Sequence, residues 1–491
     1  MATDVKSWKL FIGGEWVDTA GGDTEPDINP ATEEKVAEVT VGTKQDVDRA
    51  VQAAQRAYDD VWFDTPPKER ADRMLRLADA IEADAATLAH LESIDVGKPI
   101  TAAKTDIPFI VDNFRFFAGA ARLQEGKSSG EYERGFTSII RREPLGVTAG
   151  ICPWNYPLMM AIWKIGPALA AGNTSILKPA QITPLSTLRL AELSQDILPP
   201  GVLNVVTGRG AVVGDALARH PVIRLVSVTG DTATGKLIQA AAAENVKRVH
   251  LELGGKAPVV VFDDAPLERL IQTLKFAGYT NSGQDCTASC RIVAGPGIYE
   301  DLVRKLIPVV ESINVGDIGD DKVEMGPLVS AKQRENVKGF VERAQKKGGE
   351  GHRRRRGGRR QGLLLQADRG HRRRPEVGDR PAGGLRPRRH GAAVQRRGPG
   401  RGVGERCRIR LGLLCVDEGR RPRDADGTPA SVRNRVGEYA LHDHGRDAAR
   451  RVQGERLRQG HVDVLPGGLH ADQALGVGSR VGAGRAHSGA D

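Results

Sequence analysis

Residues 147–157 read V-T-A-G-I-C-P-W-N-Y-P, an apolar run that stops at one proline and reaches a second just ahead of another apolar segment. A short apolar run bounded by turn residues is the signature of a buried strand, and proline is well tolerated in the first turn of the helix that follows. The pattern then repeats. Pro157 to Ala171 reads as a helix, Thr174 to Leu177 as a strand, Ser186 to Ile197 as a helix, Val202 to Val206 as a strand, Ala211 to Ala218 as a helix and Leu225 to Val228 as a strand. Apolar strands alternating with helices predict a doubly wound parallel α/β sheet, because parallel strands need crossovers and are covered on both faces. Ligands of such sheets bind beyond the carboxyl ends of the strands. Pro153, Lys178, Thr207-Gly208 and Thr229-Gly230 all fall there. Val259 to Phe262 begins a second α/β unit.

Upstream, Leu10-Phe11-Ile12-Gly13-Gly14-Glu15-Trp16-Val17 alternates around Gly-Gly and predicts a hairpin. Asp46 to Tyr58 and Pro67 to Ser93 carry apolar residues at three- and four-residue spacing and read as amphipathic helices, and Ile107 to Arg122 continues the helical region. Ser129 to Arg142 reads as a two-stranded excursion ahead of the first core strand.

At 491 residues the chain exceeds the roughly 250 to 300 at which single cores stop growing, so two or three domains are expected. Its formal charge of +10 is unevenly placed: residues 351–491 hold 32 Arg, no Lys and 15 acidic residues, which leaves 40 basic and 47 acidic residues in the first 350. The front is mildly acidic and the basicity belongs to the tail. Five cysteines, at 152, 286, 290, 407 and 415, form neither a disulfide framework nor a metal-spacing cluster. A reducing compartment is expected, with no metal. Met1-Ala2-Thr3-Asp4 opens without an apolar signal region and no apolar run reaches the roughly 20 residues of a membrane span, so cytoplasm is the expected location and no membrane partner is expected.

Two stretches carry chemistry. Leu251 to Lys256 is L-E-L-G-G-K and Gly283 to Thr287 is G-Q-D-C-T. Cys286 sits among polar and small neighbours, Gln284, Asp285 and Thr287, unlike a core cysteine, and is the candidate nucleophile; a thiol needs a base or a lowered pKa to act as one. Cys290 and Cys152 read as packing residues. Glu252 lies between leucines, where a carboxylate is costly to bury unpaired, and is either a structural ion-pair partner or a general base. Asn155 between prolines is a turn residue or an oxyanion donor, with the backbone N–H of Cys286 as a second donor. Lys178 ends a strand. Gly230-Asp231-Thr232-Ala233-Thr234-Gly235 joins a strand to a helix, where backbone N–H groups and the helix dipole can face a pyrophosphate.

In order and spacing, P-W-N-Y-P at 153–157, L-K-P at 177–179, L-E-L-G-G-K and G-Q-D-C-T resemble the aldehyde dehydrogenase superfamily, from about Trp8 to Gly349. The resemblance implies a Rossmann-like cofactor domain over 1–128 and 143–252, a subunit-association hairpin at 129–142, which is otherwise simply a surface hairpin, and a catalytic domain from 253 that is incomplete at 349. It implies Cys286 as nucleophile, Asn155 as oxyanion donor and Glu252 as the base activating the water that hydrolyses a thioester, with a free acid as product. The cofactor is then NAD, or NADP, held by Trp154, Lys178, Gln181, Gly208, Gly214, Thr229, Gly230, Asp231, Gly235 and Leu253. Two positions depart from the pattern. Gln181 stands where many NAD-using relatives have a ribose-binding glutamate, which weakens discrimination against NADP, and Asp231 stands where serine is common. Tyr156, Trp163 and Asp285 are the implied substrate residues. Tyr156 and Trp163 share one helical face, and aromatic faces attract ammonium groups by about 0.5 to 2 kcal/mol; core packing is the alternative. With G-Q-D-C-T and V-T-G-D at 228–231 they resemble the aminoaldehyde branch, typified by 4-aminobutyraldehyde and betaine aldehyde dehydrogenases. A homo-oligomer, a tetramer in this resemblance, is the expected assembly.

After Gly349 the chain loses Lys, Phe, Trp and Met and becomes rich in Arg, Gly, Pro and Ala, a composition that cannot bury enough apolar surface to offset chain entropy. One reading is an arginine-rich nucleic-acid-binding tail on an inactive scaffold, but Tyr439 is its only aromatic residue available for base stacking. The other is a shifted reading frame. Gly384-Leu385-Arg386-Pro387-Arg388-Arg389 can be encoded GGT CTT CGG CCC CGT CGT; moved by one base this reads V-F-G-P-V, which is similar to the E-x-F-G-P region of the superfamily. A shifted frame would remove the acid that holds the nicotinamide ribose, the rest of the catalytic domain and the returning association strand.

Overall fold

Seven strands form the larger sheet, in the order Arg248–Leu253, Leu225–Gly230, Val147–Ile151, Thr174–Lys178, Leu203–Val205, Leu10–Ile12 and Glu15–Val17. The first five are parallel and the last two form an antiparallel hairpin at the edge. The chain leaves Val147–Ile151 for two strands on one side, then crosses back to its other side. That reversal opens a crevice at the carboxyl ends of Val147–Ile151 and Leu225–Gly230. This computed structural model describes residues 6–346 and the segments Gly349–His352, Arg369–Arg372, Cys415–Glu418 and His470–Gly478.

The strands Val147–Ile151, Thr174–Lys178 and Leu203–Val205 are buried at every residue, which is why they read as unbroken runs rather than alternating ones. Ile176 packs into the core with Val47, Val51 and Val226, and its neighbour Leu177 into the core with Phe114, Ile162 and Leu188. Successive side chains point to opposite faces, so helices cover both. At the edge hairpin Gly13 and Gly14 adopt φ of 67° and 88°, the left-handed pair that a two-residue turn of this hand requires.

Two helical expectations are corrected. Pro67 to Ser93 is not one helix but two, Pro67–Ala83 and Ala85–Val96, broken at Asp84, whose carboxylate takes bonds from Arg189 Nε and Nη2 at 2.7 and 2.8 Å. A long-range ion pair there overrides local periodicity. Ala211 to Ala218 divides into a wide turn over Gly210–Gly214 and a short helix, Asp215–Arg219.

The excursion before the first core strand pairs Lys127–Glu133 with Phe136–Pro144. In the second unit Pro258–Val261 and Arg291–Ala294 run parallel over a core that includes Val261, Leu274, Ile292 and Leu302. Segments beyond Gly349 extend both sheets: Cys415–Glu418 runs parallel to Arg291–Ala294, Arg369–Arg372 and Gly349–His352 follow it, and His470–Gly478 pairs along the whole of Phe136–Pro144. The remaining expectations for 350–491 lie outside the described residues. Among the described residues no helix is long and apolar enough to cross a membrane, and no cluster of His, Cys, Asp and Glu is placed to hold a metal.

Candidate active site

The crevice is closed on one side by the loop that carries Cys286. Just before it, Asn281, Ser282 and Gly283 have φ of 51°, 60° and 70°, and each non-glycine residue in this left-handed region costs about 1–2 kcal/mol. The strain is held by hydrogen bonds, two of them long-range. Asn281 Nδ2 donates to the Asn155 carbonyl at 3.0 Å, Ser282 Oγ to the Gly326 carbonyl at 3.0 Å, and Gln284 Nε2 to the Asn281 carbonyl at 3.1 Å. Gln284 Oε1 accepts from Val329 N at 2.9 Å, and Asn155 Nδ2 donates to the Gln284 carbonyl at 2.8 Å. The P-W-N-Y-P loop and the G-Q-D-C-T loop are therefore latched in both directions, and one N–H of the Asn155 amide remains for an oxyanion.

Cys286 and Glu252 are brought together. Burial pushes the Cys286 thiol up to about 12, and the Glu252 carboxylate, hydrogen-bonded to it, and Asp285 add to the shift. At neutral pH the sulfur is held as a thiol beside the Glu252 carboxylate. Glu252 Oε2 is buried with no hydrogen-bond partner among the described residues, an acceptor available to a water. Gly255 makes the approach possible: a Cβ there would lie 3.3 Å from the Cys286 carbonyl oxygen.

Tyr156 lies against the same loop, its hydroxyl donating to Asp285 Oδ2 at 3.2 Å. Burial and the nearby carboxylates of Asp285 and Asp106 hold its phenol neutral, far above the usual range. Lys98 Nζ stands 4.5 Å from the ring centroid, so a protein cation already covers one face. Burial alone would favour a neutral Lys98, but Glu92 at 3.0 Å and Asp106 at 2.8 Å keep it charged. Glu92 Oε1 also accepts from Leu158 N at 3.0 Å and Ser186 Oγ at 2.6 Å, which fixes the first turn of the helix Pro157–Ala170. Trp163 is two turns along that helix and 40% exposed. The motif reading missed Gln284, Asn281 and the Glu92–Lys98–Asp106 group; charges inside an apolar helical stretch were the available signal.

On the cofactor side, Lys178 is buried and pushed down to about 8 by that burial, its Nζ donating to the Pro179 carbonyl at 2.7 Å. Gly214 leaves space beside it, since a Cβ there would meet only Ile151 and Lys178 at 3.9 Å, and a Cβ at Gly230 would meet nothing within 4 Å. Gly208, at φ 132°, and Gly235 serve packing: a Cβ on Gly235 would lie 2.8 Å from Leu253. Trp154 is half-buried at the mouth of the crevice. Cationic, glycine-lined and open, the cradle fits a dinucleotide along Lys178, Gly214 and Gly230. Two expectations change in detail. The helix N-terminus assigned to a pyrophosphate is capped by Asp231, which accepts from Ala233 N at 2.8 Å and Thr234 N at 3.0 Å. The Thr229 hydroxyl is engaged by Lys164 Nζ at 2.8 Å. Exposed Gln181 donates to Glu25, which also accepts from Arg209 Nε at 3.0 Å and Nη2 at 2.6 Å.

A latched cysteine loop, a carboxylate beside the thiol and a glycine-lined crevice lie together at the strand reversal. Residues 16–367 match the aldehyde dehydrogenase family, and the chain belongs to that family. It is 40% identical over 350 residues to retinaldehyde dehydrogenase 3 of Mus musculus, covering 70% of this chain and 68% of that protein. It is 40% identical over 338 residues to betaine aldehyde dehydrogenase of Bacillus subtilis (strain 168), covering 68% and 69%. Among solved structures, betaine aldehyde dehydrogenase of Staphylococcus aureus in complex with NAD+ is similar at a TM-score of 0.72 and 37% identity, over 74% of this chain and 73% of that one. Relatives of different substrate class stand at equal identity, so the family does not by itself choose the aldehyde.

Proposed function

We propose that the enzyme of the uninterrupted frame oxidises an aldehyde to its carboxylic acid with NAD+ through a thioester on Cys286, and that the chain as it stands, with its shifted C-terminal part, has little or no activity. The contact between Cys286 and Glu252 carries this reading. Cys286 bonds the carbonyl carbon as its proton passes to Glu252, which releases it to bulk water before the next step, and Asn155 Nδ2 with the Cys286 backbone N–H stabilises the oxyanion. When bound, NAD+ supplies acceptance of a hydride from the substrate carbon. Lys178 and the glycine-lined cradle hold the dinucleotide, with Trp154, Gln181 and Leu253 at its margins. Glu252 then takes a proton from the water that hydrolyses the thioester. Gln181 and Arg209 in place of an acid at the ribose also support use of NADP. The test is NADH formation with a panel of aldehydes: Cys286→Ala should abolish it and Glu252→Gln should stop turnover with acyl-enzyme accumulating. Normal steady-state turnover in either variant would sink the assignment.

The substrate we infer is an aminoaldehyde such as 4-aminobutyraldehyde, favoured by the aromatic Tyr156 flanked by the Asp285 and Asp106 carboxylates, with Trp163 further along the same helix. A lower kcat/KM for 4-aminobutyraldehyde than for an uncharged aldehyde of equal length would reject it. Self-association through the hairpin Lys127–Glu133 and Phe136–Pro144, into a homotetramer, and a cytoplasmic location complete the reading. For residues 350–491 we propose a shifted frame. Sequencing of the gene around codon 350 tests it: an insertion or deletion of one base is expected, and an uninterrupted frame yielding a soluble, active oligomer would overturn it.

A further inference from the structure

The residues that lead into Cys286 are held by a closed ring of contacts that begins and ends at one turn, Gly97-Lys98. Gly97, at φ 85°, ends the helix Ala85–Val96, its N–H donating to the Ser93 carbonyl at 2.9 Å. One arm leaves this turn through backbone. A Cβ on Gly326 would collide with the Gly97 carbonyl oxygen, and one on Gly97 would lie 2.8 Å from Pro327, so the turn sits directly on the segment 326–329 of the second unit. That segment grips the cysteine loop twice: the Gly326 carbonyl accepts from Ser282 Oγ at 3.0 Å, and Val329 N donates to Gln284 Oε1 at 2.9 Å. The other arm is the Lys98 side chain. Its Nζ stands 4.5 Å from the Tyr156 ring centroid, and the Tyr156 hydroxyl donates to Asp285 Oδ2 at 3.2 Å. Gln284 and Asp285 directly precede Cys286, so the two arms close on consecutive residues beside the nucleophile.

We propose that the Gly97-Lys98 turn sets the position of Cys286, with Lys98 as a positioning residue that acts through Tyr156 and Asp285. It rests on the assignment of Cys286 as nucleophile. The ammonium fixes the Tyr156 ring, the Tyr156 hydroxyl fixes Asp285, and the backbone of the same turn fixes Ser282 and Gln284 from the other side. Sulfur is thereby aligned with the oxyanion donors on the P-W-N-Y-P loop before an aldehyde enters.

Three features favour this over a lysine that only neutralises acids. Lys98 is 1% exposed and is kept charged by Glu92 at 3.0 Å and Asp106 at 2.8 Å. Buried ion clusters are often no more stabilising than well-packed apolar residues of the same volume, so the charge is better accounted for by the geometry it fixes. Asp285 is also held from its far side, its Oδ1 accepting from Thr287 N at 2.6 Å and Thr287 Oγ1 at 2.7 Å, so this carboxylate spans the cysteine and passes the hold of Tyr156 across it. Finally, Asn281 and Ser282 lie in the left-handed region just ahead, and such a turn keeps its shape only where its surroundings over-determine it.

The test uses the full chain and two reagents that need no cofactor. With p-nitrophenyl acetate, Sγ bonds the acetyl carbon, the ester C–O bond breaks and p-nitrophenolate leaves with the electron pair, so the burst rate reads the alignment of sulfur with the oxyanion donors. Iodoacetamide alkylates the thiol without forming an oxyanion, so its rate reads access and thiolate alone. Lys98→Met and Tyr156→Phe should each slow the burst roughly tenfold, with the half-saturating ester concentration and the alkylation rate as in the wild type. The double variant should be no slower than the slower single one, because both changes cut the same arm. Burst amplitude counts folded chains and the rate constant is read on those alone, so partial unfolding of Lys98→Met leaves the readout intact. Tyr156→Phe, which keeps both ion pairs of Lys98, supplies it where Lys98→Met does not fold. An unchanged burst rate in either variant, alkylation slowed in parallel with the burst, or losses that multiply in the double variant each overturn the role of Lys98 while leaving Cys286 in place. No burst from the wild-type chain overturns the nucleophile and the ring together.

Discussion

Glu252 holds the Cys286 thiol in its protonated form: the carboxylate hydrogen-bonds the thiol, and its charge adds to burial in raising the pKa to about 12. Carboxylate and thiol therefore meet with the proton still on sulfur. Replacing the carboxylate by an amide removes its opposing charge and leaves the desolvation and the Asp285 charge. In Glu252→Gln, alkylation of Cys286 by iodoacetamide at pH 8 should accelerate several-fold, since a single pKa unit of relief gives about tenfold more thiolate. Slower alkylation would show that Glu252 activates the resting thiol instead of suppressing it.

Asp231 occupies backbone donors that a pyrophosphate would otherwise use. Asp231→Ser keeps a capping oxygen but removes the negative charge from the positive end of the helix. Removing that repulsion should tighten NAD+ binding by about 1 kcal/mol, or roughly fivefold in Kd, as read by calorimetry on the full chain. Weaker binding would mean that the dinucleotide does not approach this helix.

Cofactor choice should respond to Glu25. That carboxylate ties up both Gln181 and Arg209, and Glu25→Gln releases the guanidinium. The ratio of NADP+ to NAD+ affinity should rise, because a free guanidinium is the side chain best suited to a phosphate. A ratio that does not change places the ribose elsewhere.

Lys178 gives a pH signature. Its folded pKa of about 8 lies below the ordinary 10.5, so between these values the unfolded chain binds more protons and stability rises with pH. Burial penalises the charged form most below pH 8 and ceases to do so above pH 10.5. Relative to Lys178→Met, the wild type should gain on the order of 3 kcal/mol across that window, measurable by urea unfolding at pH 7.5 and 10.5. A flat difference would show that Lys178 is charged in the fold.

Glu92 is a buried carboxylate held by three donors. It receives Lys98, Leu158 N and Ser186 Oγ. Glu92→Ala leaves a buried ammonium half-paired and should destabilise by about 3–5 kcal/mol, with Glu92→Gln milder because it retains an acceptor for Leu158 and Ser186. Equal losses in both would put the whole effect on the ion pair.

The parallel sheet was legible because burial on both faces leaves an unmistakable imprint: Val147–Ile151 and Thr174–Lys178 are apolar or small throughout, and the reversal that makes the crevice follows from their order. Cys286, Glu252 and Asn155 stand out in the sequence as candidates because each sits in a short motif of small and polar residues, and the fold brings their loops together. What escaped was held by partners far away in the chain. The break at Asp84 depends on Arg189, the latch on Gln284 depends on Asn155, and neither pair shares a local pattern.

The latch between Asn155 and Gln284 spans 129 residues and joins a loop of the first sheet to a loop of the second. Closing a separation of that size is among the slower events available to a chain. The left-handed turn at Asn281 and Ser282 has its compensating bonds only once both loops are in place. Chemical competence is thus acquired at the end of folding, and Cys286 reactivity becomes a clock for domain docking: a nascent chain with only its first sheet formed would have its oxyanion donor but nothing for it to serve.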